Sequence, residues 1–282
     1  MKNFLVATDF SHDAYNALFY CTQLMKWHPC TFYILNVYNE TTVLESKKEQ
    51  ILPSKKLLEE LKIQSNEKLT HTFHKIVLDN NNARHTFKTI SKKGKLTSVL
   101  KNIVNEKQID LVVMGSKGET GAKEIFLGSN TVKVAKSITQ CPILAIPKQI
   151  DYKEPKEIAF ITDYKTGCSK ETIAPLLYLA NLSKASIRIM HIHEEQILNS
   201  EQETHRIQLD ACLEHIEHSF HWMQEFTEKA KVIDTFLEKL TIDMFAMVYH
   251  QRSFLERLIR EPVIKDLSIY AEIPFLILPE RD

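Results

Sequence analysis

The sequence predicts an α/β protein made of two tandem, doubly wound parallel sheets of five strands each, with flanking helices on both faces. Short runs that are almost wholly apolar, such as Leu111–Met114 and Ile158–Ile161, alternate with longer helical segments. Strands that are buried on both faces read in this way, and alternating strands and helices imply a parallel sheet. The succession also occurs twice along 282 residues, a length that allows two cores.

In the first copy, each predicted element follows from a local pattern. Strands are predicted where apolar and β-branched residues cluster, and helices where apolar residues recur every third or fourth position. The predicted strands are Phe4–Asp9, Thr31–Tyr38, about Thr86–Ser91, Leu111–Gly115 and Ile143–Ile146, and the predicted helices are about His12–Trp27, a segment from about Pro53, Thr97–Lys107 and Asn130–Ile138.

The two copies align in three collinear blocks. Phe4–Asp9 recurs as Ile158–Asp163, 154 residues later, and at this offset Thr31–Val37 aligns without a gap with Ala185–His191, which places His191 at the position of Val37. The change to later offsets of 133 and 132 predicts roughly 21 extra residues between positions 38 and 85, as a longer second helix and a loop. The later matches are His85–Phe87 with His218–Phe220, Ile109-Asp110 with Ile242-Asp243, and Cys141–Pro147 with Ile273–Pro279.

The duplication predicts a domain at residues 1–148, a polar linker at 149–157 and a second, degenerate domain at 158–282. Both copies end in a proline-flanked apolar strand, Pro142–Pro147 and Pro274–Pro279. Because proline favours edge strands, we expect these two strands to pair edge to edge. The second copy would then be a built-in dimer partner of the first, an intramolecular pseudo-dimer, and a homodimer of whole chains also stays open.

Charge divides between the copies, although the net charge is zero. Residues 1–150 carry 21 Lys and Arg against 13 Asp and Glu, a balance of +8, and residues 151–282 carry 15 against 23, a balance of −8. A basic half favours a polyphosphate ligand, but solvated faces and attraction between the halves explain the division equally well. The sequence has no basic patches interleaved with aromatic residues, which argues against nucleic acid as a partner.

The cellular location is predicted from three features of the sequence. No run approaches the roughly 18 apolar residues of a membrane span, so no membrane partner is expected. The first residues lead directly into a strand pattern instead of a signal peptide, and the five cysteines are scattered without a CxxC motif. Together these features predict a reduced, cytoplasmic protein.

A glycine-bearing loop joins the strand Leu111–Gly115 to the helix from Asn130. Its spacing is Gly115-x2-Gly118-x9-Gly128-Ser129, and five of the six glycines of the chain lie at positions 94–128. Strand, glycine loop and helix in this order form phosphate sites, because glycines let backbone N–H groups approach the anion and the helix start adds a favourable dipole. The alternative is that Gly115 and Gly118 are only turn residues.

The sequence resembles the universal stress protein family, and the resemblance covers both halves. It rests on this loop, the aspartate after the first strand, the segment Asp110–Gly115 and the closing strand Cys141–Leu144. It implies an adenine-nucleotide α-hydrolase-like fold that binds ATP across the strand ends, with any Mg²⁺ arriving with the nucleotide. The resemblance further implies that Asp9 faces the ribose or adenine, that the main chain of Val37 contacts the adenine edge, and that Gly115 lies by the ribose. It also implies that the phosphates receive hydrogen bonds from Gly118, Gly128, Ser129 and Asn130. Asp9 alternatively caps the following helix, as does Ser11 in the same interpretation.

The second copy lacks the glycine loop. Val248 and Gln251 stand at the first two glycine positions, and Arg260–Pro262 at the later Gly-Ser position. Side chains there would obstruct a phosphate, and Glu261 would repel it. The sequence therefore predicts one nucleotide per chain, bound by the first copy, where Lys117 and Lys123 are candidates for assisting the phosphates.

Histidines are frequent in the second copy but predict no metal site. His191 and His193 share one face of a predicted strand, a geometry that can chelate Zn²⁺. The triplet His215, His218 and His221 crosses a predicted boundary between helix and strand, and no cysteine stands at ligand spacing. Chance is the better explanation of this cluster.

No catalytic motif accompanies the glycine loop. The sequence contains no Gly-x4-Gly-Lys-Ser/Thr, GxSxG or HExxH, and Thr8-Asp9-Phe10-Ser11 replaces the glycine-serine loop of related adenylating enzymes. The leading hypothesis is a nucleotide-responsive stress or signalling module whose affinity for an unidentified protein partner changes with occupancy. Two alternatives stay open: a slow ATPase or self-phosphorylating enzyme with Ser129 or Ser116 as acceptor, and a nucleotide-independent scaffold.

Overall fold

Strands alternate with helices along most of the chain that the computed structural model describes, which comprises residues 2–39, 55–116, 127–148, 150–193, 197–224, 236, 240–249 and 273–280. The elements of the N-terminal half are β1 (Lys2–Ala7), α1 (His12–Leu24), β2 (Cys30–Tyr38), α2 (Lys55–Asn80), β3 (His85–Lys93), α3 (Leu96–Glu106), β4 (Leu111–Gly115), α4 (Ser129–Ser137) and β5 (Ile143–Ile146). Those of the C-terminal half are β6 (Glu157–Thr162), α5 (Lys170–Ser183), β7 (Ser186–His193), α6 (Ser200–Leu213), β8 (His218–Gln224), β9 (Met244–Tyr249) and β10 (Phe275–Pro279).

These ten strands form one continuous sheet in the order β3-β2-β1-β4-β5-β10-β9-β6-β7-β8. Neighbouring strands within each half are parallel. The end strands β5 and β10 pair antiparallel, with Leu276 opposite Leu144, so the expected edge-to-edge contact is present. The predicted α/β class is confirmed, and the two five-stranded units share one sheet in which strand order reverses at β1 and again at β6.

The core of the N-terminal half lies on both faces of the sheet. Val6 and Val113 pack under α1 and α2, whereas Leu5 and Val112 pack under α3 and α4. This double burial explains why the strands read as continuous apolar runs. None of the described helices combines the length and the apolar character that a membrane-spanning segment requires.

Most predicted boundaries lie within a few residues of the observed ones. The strands Leu111–Gly115 and Ile143–Ile146 are as predicted, whereas α1 ends at Leu24 instead of Trp27. The helix α2 has 26 residues and its counterpart α6 has 14, in agreement with a longer second helix in the first copy. A turn that includes Asn81 and Asn82 follows α2, and the residues between β2 and α2, from 40 to 54, lie outside the described residues.

Two of the sequence alignments between the copies are wrong in register. Phe4 shares a row of the sheet with Phe32 and Phe87, and Ile158, its counterpart, shares one with Ile187 and His218. The second strands therefore correspond at an offset of 155 instead of 154, and the third strands at 131 instead of 133. A shift by one residue moves every side chain to the other face of a strand. The observed register keeps isoleucines, and not Ser186 and Arg188, on the inner face.

Candidate functional site

Six of the seven predicted site residues lie at the carboxyl edge of β1, β2 and β4. Asp9 follows β1 by two residues, Val37 lies near the end of β2, and Gly115 ends β4. Adjacent strands lie about 4.8 Å apart, so these ends border one crevice, and the strand order reverses between β1 and β4. Open α/β sheets bind ligands at such a point. Gly118, like Lys117 and Lys123, lies outside the described residues.

The turn after β1 leaves part of the Asp9 carboxylate for a ligand. Asp9 Oδ1 accepts hydrogen bonds from Ser11 N at 3.0 Å and from Ser11 Oγ at 2.5 Å. Ser11 Oγ in turn accepts from Ala14 N at 3.2 Å and so caps α1. The cap is therefore Ser11, and Oδ2 of the exposed Asp9 has no hydrogen-bond partner among the described residues.

The end of β2 extends past the end of β1. The last main-chain bond between the two strands runs from Thr8 N to Leu35 O, at 2.8 Å. Val37 lies two residues further, so its main-chain groups face the same side of β2 as those of Leu35. They point toward the space beyond the end of β1. There the edge of a planar ligand can form hydrogen bonds with backbone donors and acceptors.

One hydrogen bond joins the residue after β4 to the end of β5, and two hold the start of α4 against the end of β4. Ser116 N donates to Ile146 O at 2.7 Å, Gly128 N donates to Ser116 O at 2.6 Å, and Thr131 Oγ1 donates to Gly115 O at 3.1 Å. The Gly128 N–H is thus engaged within the chain and would have to leave Ser116 O to reach a phosphate. Gly128 has an ordinary φ of −62°, so the backbone conformation does not require a glycine there.

The start of α4 offers unused donors beside a buried hydroxyl. No side chain caps the helix, and the N–H groups of Ser129, Asn130 and Thr131 have no partner inside it because of their position. Ser116 is only 5% exposed, and its Oγ has no hydrogen-bond partner in the part of the chain that the structure describes. A buried hydroxyl without a partner costs about 1–3 kcal/mol, which a ligand oxygen at this place would offset.

A buried polar network lies behind the turn after β1. Asn36 Nδ2 donates to Thr8 O at 2.8 Å, and Asn36 Oδ1 accepts from Ser65 Oγ at 2.8 Å. Ser65 Oγ also lies 2.7 Å from Ser91 Oγ. The network joins the ends of β1, β2 and β3 to α2. Sequence reasoning missed it, since no motif marks Ser65 or relates α2 to the strand ends.

The C-terminal half repeats the same turn. Thr162 Oγ1 accepts from Tyr164 N at 3.1 Å and Asp163 Oδ1 from Lys165 N at 3.0 Å, as Thr8 and Asp9 do in the first copy. The ring atom His191 Nδ1 lies 3.1 Å from Thr162 O, the place that Asn36 Nδ2 takes on Thr8 O. His191 therefore corresponds to Asn36, and the prediction that it replaces Val37 is wrong by one residue.

Aromatic side chains fill the space beyond this second turn. The ring of Tyr164 stacks on His191 at 4.7 Å, and Trp222 meets His191 edge-on at 5.3 Å. Trp222 lies opposite His191 in the sheet, as Ser91 lies opposite Asn36. Tyr164 is 2% exposed, and burial raises the pKa of its hydroxyl. Gln251 and Arg260–Pro262, predicted to block this site, lie outside the described residues.

The three histidines His215, His218 and His221 do not share one element of the structure. His215 lies in the turn between α6 and β8, whereas His218 and His221 lie on β8. His218 Nε2 is 2.8 Å from Asp210 Oδ1, and His221 Nε2 is 2.8 Å from Ser219 Oγ. Within the described ranges, no group of three or more His, Cys, Asp or Glu side chains is arranged to hold a metal ion.

Comparisons with known proteins agree with this geometry. Solved structures that match over 99% of this chain include a universal stress protein from Archaeoglobus fulgidus (TM-score 0.69, 16% identity, 97% of that chain) and a putative universal stress protein from Pseudomonas aeruginosa (0.57, 12%, 93%). The cytoplasmic domain of a prokaryotic cation chloride cotransporter also matches over 99% (0.53, 9%, 95%). At these identities the matches show the shared fold alone. No curated protein matches the sequence. Residues 1–147, just over half of the chain, match the family model of the universal stress protein family, and the chain belongs to that family.

Proposed function

We propose that the N-terminal half binds one adenine nucleotide, ATP, and that the protein acts as a nucleotide-responsive module in a stress response or signalling. The observation that carries the proposal is the uncapped start of α4 beside the unpartnered Ser116 hydroxyl. Free N–H groups and a helix dipole favour a phosphate at this place. The N–H groups of Ser129 and Asn130 and the Ser116 hydroxyl are the proposed phosphate ligands. Gly128 keeps the approach open, and any Mg²⁺ is held by the phosphates themselves.

The other end of the nucleotide is assigned to the ends of β1 and β2. Asp9 Oδ2 is an acceptor for a ribose hydroxyl, and the unpaired main chain of Val37 suits the adenine edge. Gly115 lets the ribose approach β4 because it has no side chain. These roles follow the family resemblance, and the crevice at the reversal of strand order supports them.

The C-terminal half is proposed to bind no nucleotide. His191 and Trp222 stand where the N-terminal half has the small polar residues Asn36 and Ser91, and their rings contact each other and Tyr164. Their packing favours a stoichiometry of one nucleotide per chain.

The experiment is a titration of the full chain with ATP and Mg²⁺ by calorimetry, together with thermal unfolding. We expect binding with a stoichiometry near one and a rise in Tm. Gly128→Val should abolish both effects while the ligand-free Tm stays close to that of the wild type, because valine tolerates the observed backbone angles. Ser137→Val, which adds the same side chain at the other end of α4, is the matched control and should bind as the wild type does.

Three outcomes would decide between the functions that the sequence leaves open. Absence of any ATP effect at millimolar concentration would contradict the proposal and favour a nucleotide-independent scaffold. Release of ADP that disappears in Gly128→Val would indicate an ATPase, and phosphate on Ser116 or Ser129 by mass spectrometry would indicate self-phosphorylation. Binding without turnover would support the module.

A further inference from the structure

Two equivalent spaces flank the join between β5 and β10, each bordered by the first helix of one half and strand starts of the other. Tyr20 on α1 and Tyr178 on α5 correspond, since each follows its helix cap, Ser11 or Ser169, by nine residues. The aspartates at the strand starts correspond as well. Asp110 Oδ2 accepts from Asn3 N at 2.8 Å, and Asp243 Oδ2 accepts from the main chain just before β6.

The space beside Tyr20 is filled by the segment that connects the two halves, residues 150–154. The ring of Tyr152 meets that of Tyr20 edge-on at 5.2 Å, and Tyr20 is only 2% exposed. The segment is held at its main chain, because Asn16 Nδ2 donates to Ile150 O at 3.1 Å. The segment thus lies against α1.

One ion pair fixes the same segment at the strand starts, and a second forms at the end of the segment. Lys153 Nζ lies 2.6 Å from Asp243 Oδ1, an aspartate whose side chain is only 7% exposed. The next residue, Glu154, receives Lys156 Nζ at 3.0 Å. Tyr152 therefore packs in this space, and the more exposed Lys153 and Glu154 side chains that follow it form ion pairs at its edge.

The space beside Tyr178 is a cavity of about 240 Å³ that none of the described residues fills. Apolar side chains, including Phe4, Leu111, Leu179 and Leu276, line part of it, and polar and charged groups line the rest. Lys2 and Asp110 lie at its rim, 2.9 Å apart, and Lys2 Nζ lies 5.0 Å from the centre of the Tyr178 ring. An apolar cavity of about 150 Å³ already accepts benzene, so this one has room for an aromatic side chain.

We propose that the cavity beside Tyr178 is a docking site for an extended peptide segment of a protein partner, with an aromatic, a basic and an acidic residue in succession. The equivalent space on the other side of the join holds such a segment from this chain. The partner's ring packs against Tyr178, its basic group pairs with Asp110, and its acidic group takes Lys2. When the segment binds, Lys2 leaves Asp110 and pairs with the acidic residue of the partner. In the equivalent space, Lys156 pairs with Glu154 while Lys153 pairs with Asp243.

The test is binding of a labelled peptide with the sequence of residues 148–156 to the full chain, followed by fluorescence anisotropy without nucleotide. We expect saturable binding that weakens at least tenfold when the peptide carries Tyr152→Ala. Ala174→Trp, on the helix surface that lines the cavity, should abolish binding. Asn181→Trp, an exposed position on the same helix outside the cavity, is the matched control and should leave binding unchanged. Asp110→Asn should weaken binding and reduce its dependence on salt.

Several results would overturn the proposal. No binding of the peptide up to millimolar concentration would do so, as would equal binding to Ala174→Trp. If p-cresol binds as tightly as the peptide, the cavity is a site for a small aromatic molecule and not for a protein segment. Because nucleotide is left out, these outcomes are independent of whether ATP binds at the other edge of the sheet.

Discussion

At the carboxyl end of β1 the neighbouring strands β2 and β3 present small polar side chains, whereas at the equivalent end of β6 the neighbouring strands β7 and β8 present aromatic ones. Asn36, Ser65 and Ser91 form a hydrogen-bonded network in the first place, and His191 and Trp222 stack with Tyr164 in the second. The backbone turn itself is the same in both. The comparison teaches that the turn belongs to the fold, and that the side chains around it decide how much space is left at the strand end.

The largest expected effect comes from removing the aromatic ring in each turn. Tyr164→Ala should lower the free energy of unfolding by about 3–5 kcal/mol, as for other buried aromatic residues, and Phe10→Ala by about 1 kcal/mol because Phe10 is only half-buried. Both residues have a positive φ, 54° and 68°, so the pair controls for backbone strain. Urea unfolding measures both. Equal losses would mean that the rings are equally important for packing, which contradicts the contrast between the halves.

The next effect concerns the polar network. Asn36→Ala removes the side-chain partner of Thr8 O and one of the two partners of Ser65 Oγ, and we expect a loss of about 1–3 kcal/mol in the free energy of unfolding. Affinity for ATP should fall too, because Asn36 holds the turn that carries Asp9. The control is Asn66→Ala, which removes an exposed asparagine of α2. A loss no larger than that of the control would show that the network contributes nothing to stability.

A third prediction compares the two aspartates. Asp9→Ala should weaken ATP binding about tenfold, or about 1.4 kcal/mol, because the ribose loses its acceptor. Asp163→Ala removes the equivalent turn bond in the C-terminal half and should leave ATP affinity unchanged. Calorimetry with each variant tests this, and a similar loss in both would speak against a single nucleotide site in the N-terminal half.

The smallest effect is on pH dependence. Burial lowers the pKa of His85, whose Nε2 lies 3.1 Å from Met25 O and whose Nδ1 lies 3.0 Å from Asn80 Nδ2. Arg84 acts in the same direction. Above the ordinary pKa of about 6.5 both folded and unfolded states are neutral. Below it the unfolded state binds the proton more readily, so stability falls as the pH falls.

The variant His85→Gln should reduce that loss of stability between pH 7 and pH 5, measured by urea unfolding at each pH. Ile216 occupies the equivalent row in the C-terminal half, so no matching titration arises there. Some pH dependence should remain in the variant, since burial also lowers the pKa of His221. An unchanged slope would mean that His85 is as easily protonated in the folded state as in the unfolded state.

Sequence patterns predicted the central strands of the N-terminal half well because these are short apolar runs between polar turns, whereas the edge strand β3 is mostly polar and was placed only approximately. The strand Leu111–Gly115 is an example, since burial on both faces leaves little choice of residue. The predicted alignment of the two copies was less accurate, because Thr31–Val37 and Ala185–His191 resemble each other at the two neighbouring offsets of 154 and 155. Matching the alternating large apolar residues of the two strands, Phe32 with Ile187 and Ile34 with Ile189, would have identified the correct offset of 155.

Contacts between distant segments were beyond sequence reasoning. Ser65 meets Asn36 because α2 crosses the ends of the strands, and no local pattern specifies that crossing. The same holds for Ser116, whose lack of a partner depends on the packing of α4 against β4. The division into domains at 148 and 158, and the nucleotide roles of Asp9, Val37 and the glycines, stay predictions.

The antiparallel join of β5 and β10 lies within a single chain, so its formation is unimolecular. A dimer of separate subunits with this join would dissociate on dilution, and its apparent stability would depend on protein concentration. Here the linker keeps the two halves at a fixed effective concentration. Pairing of each N-terminal half with its own C-terminal half is therefore favoured at protein concentrations below that effective concentration, and the strength of this join does not fall on dilution.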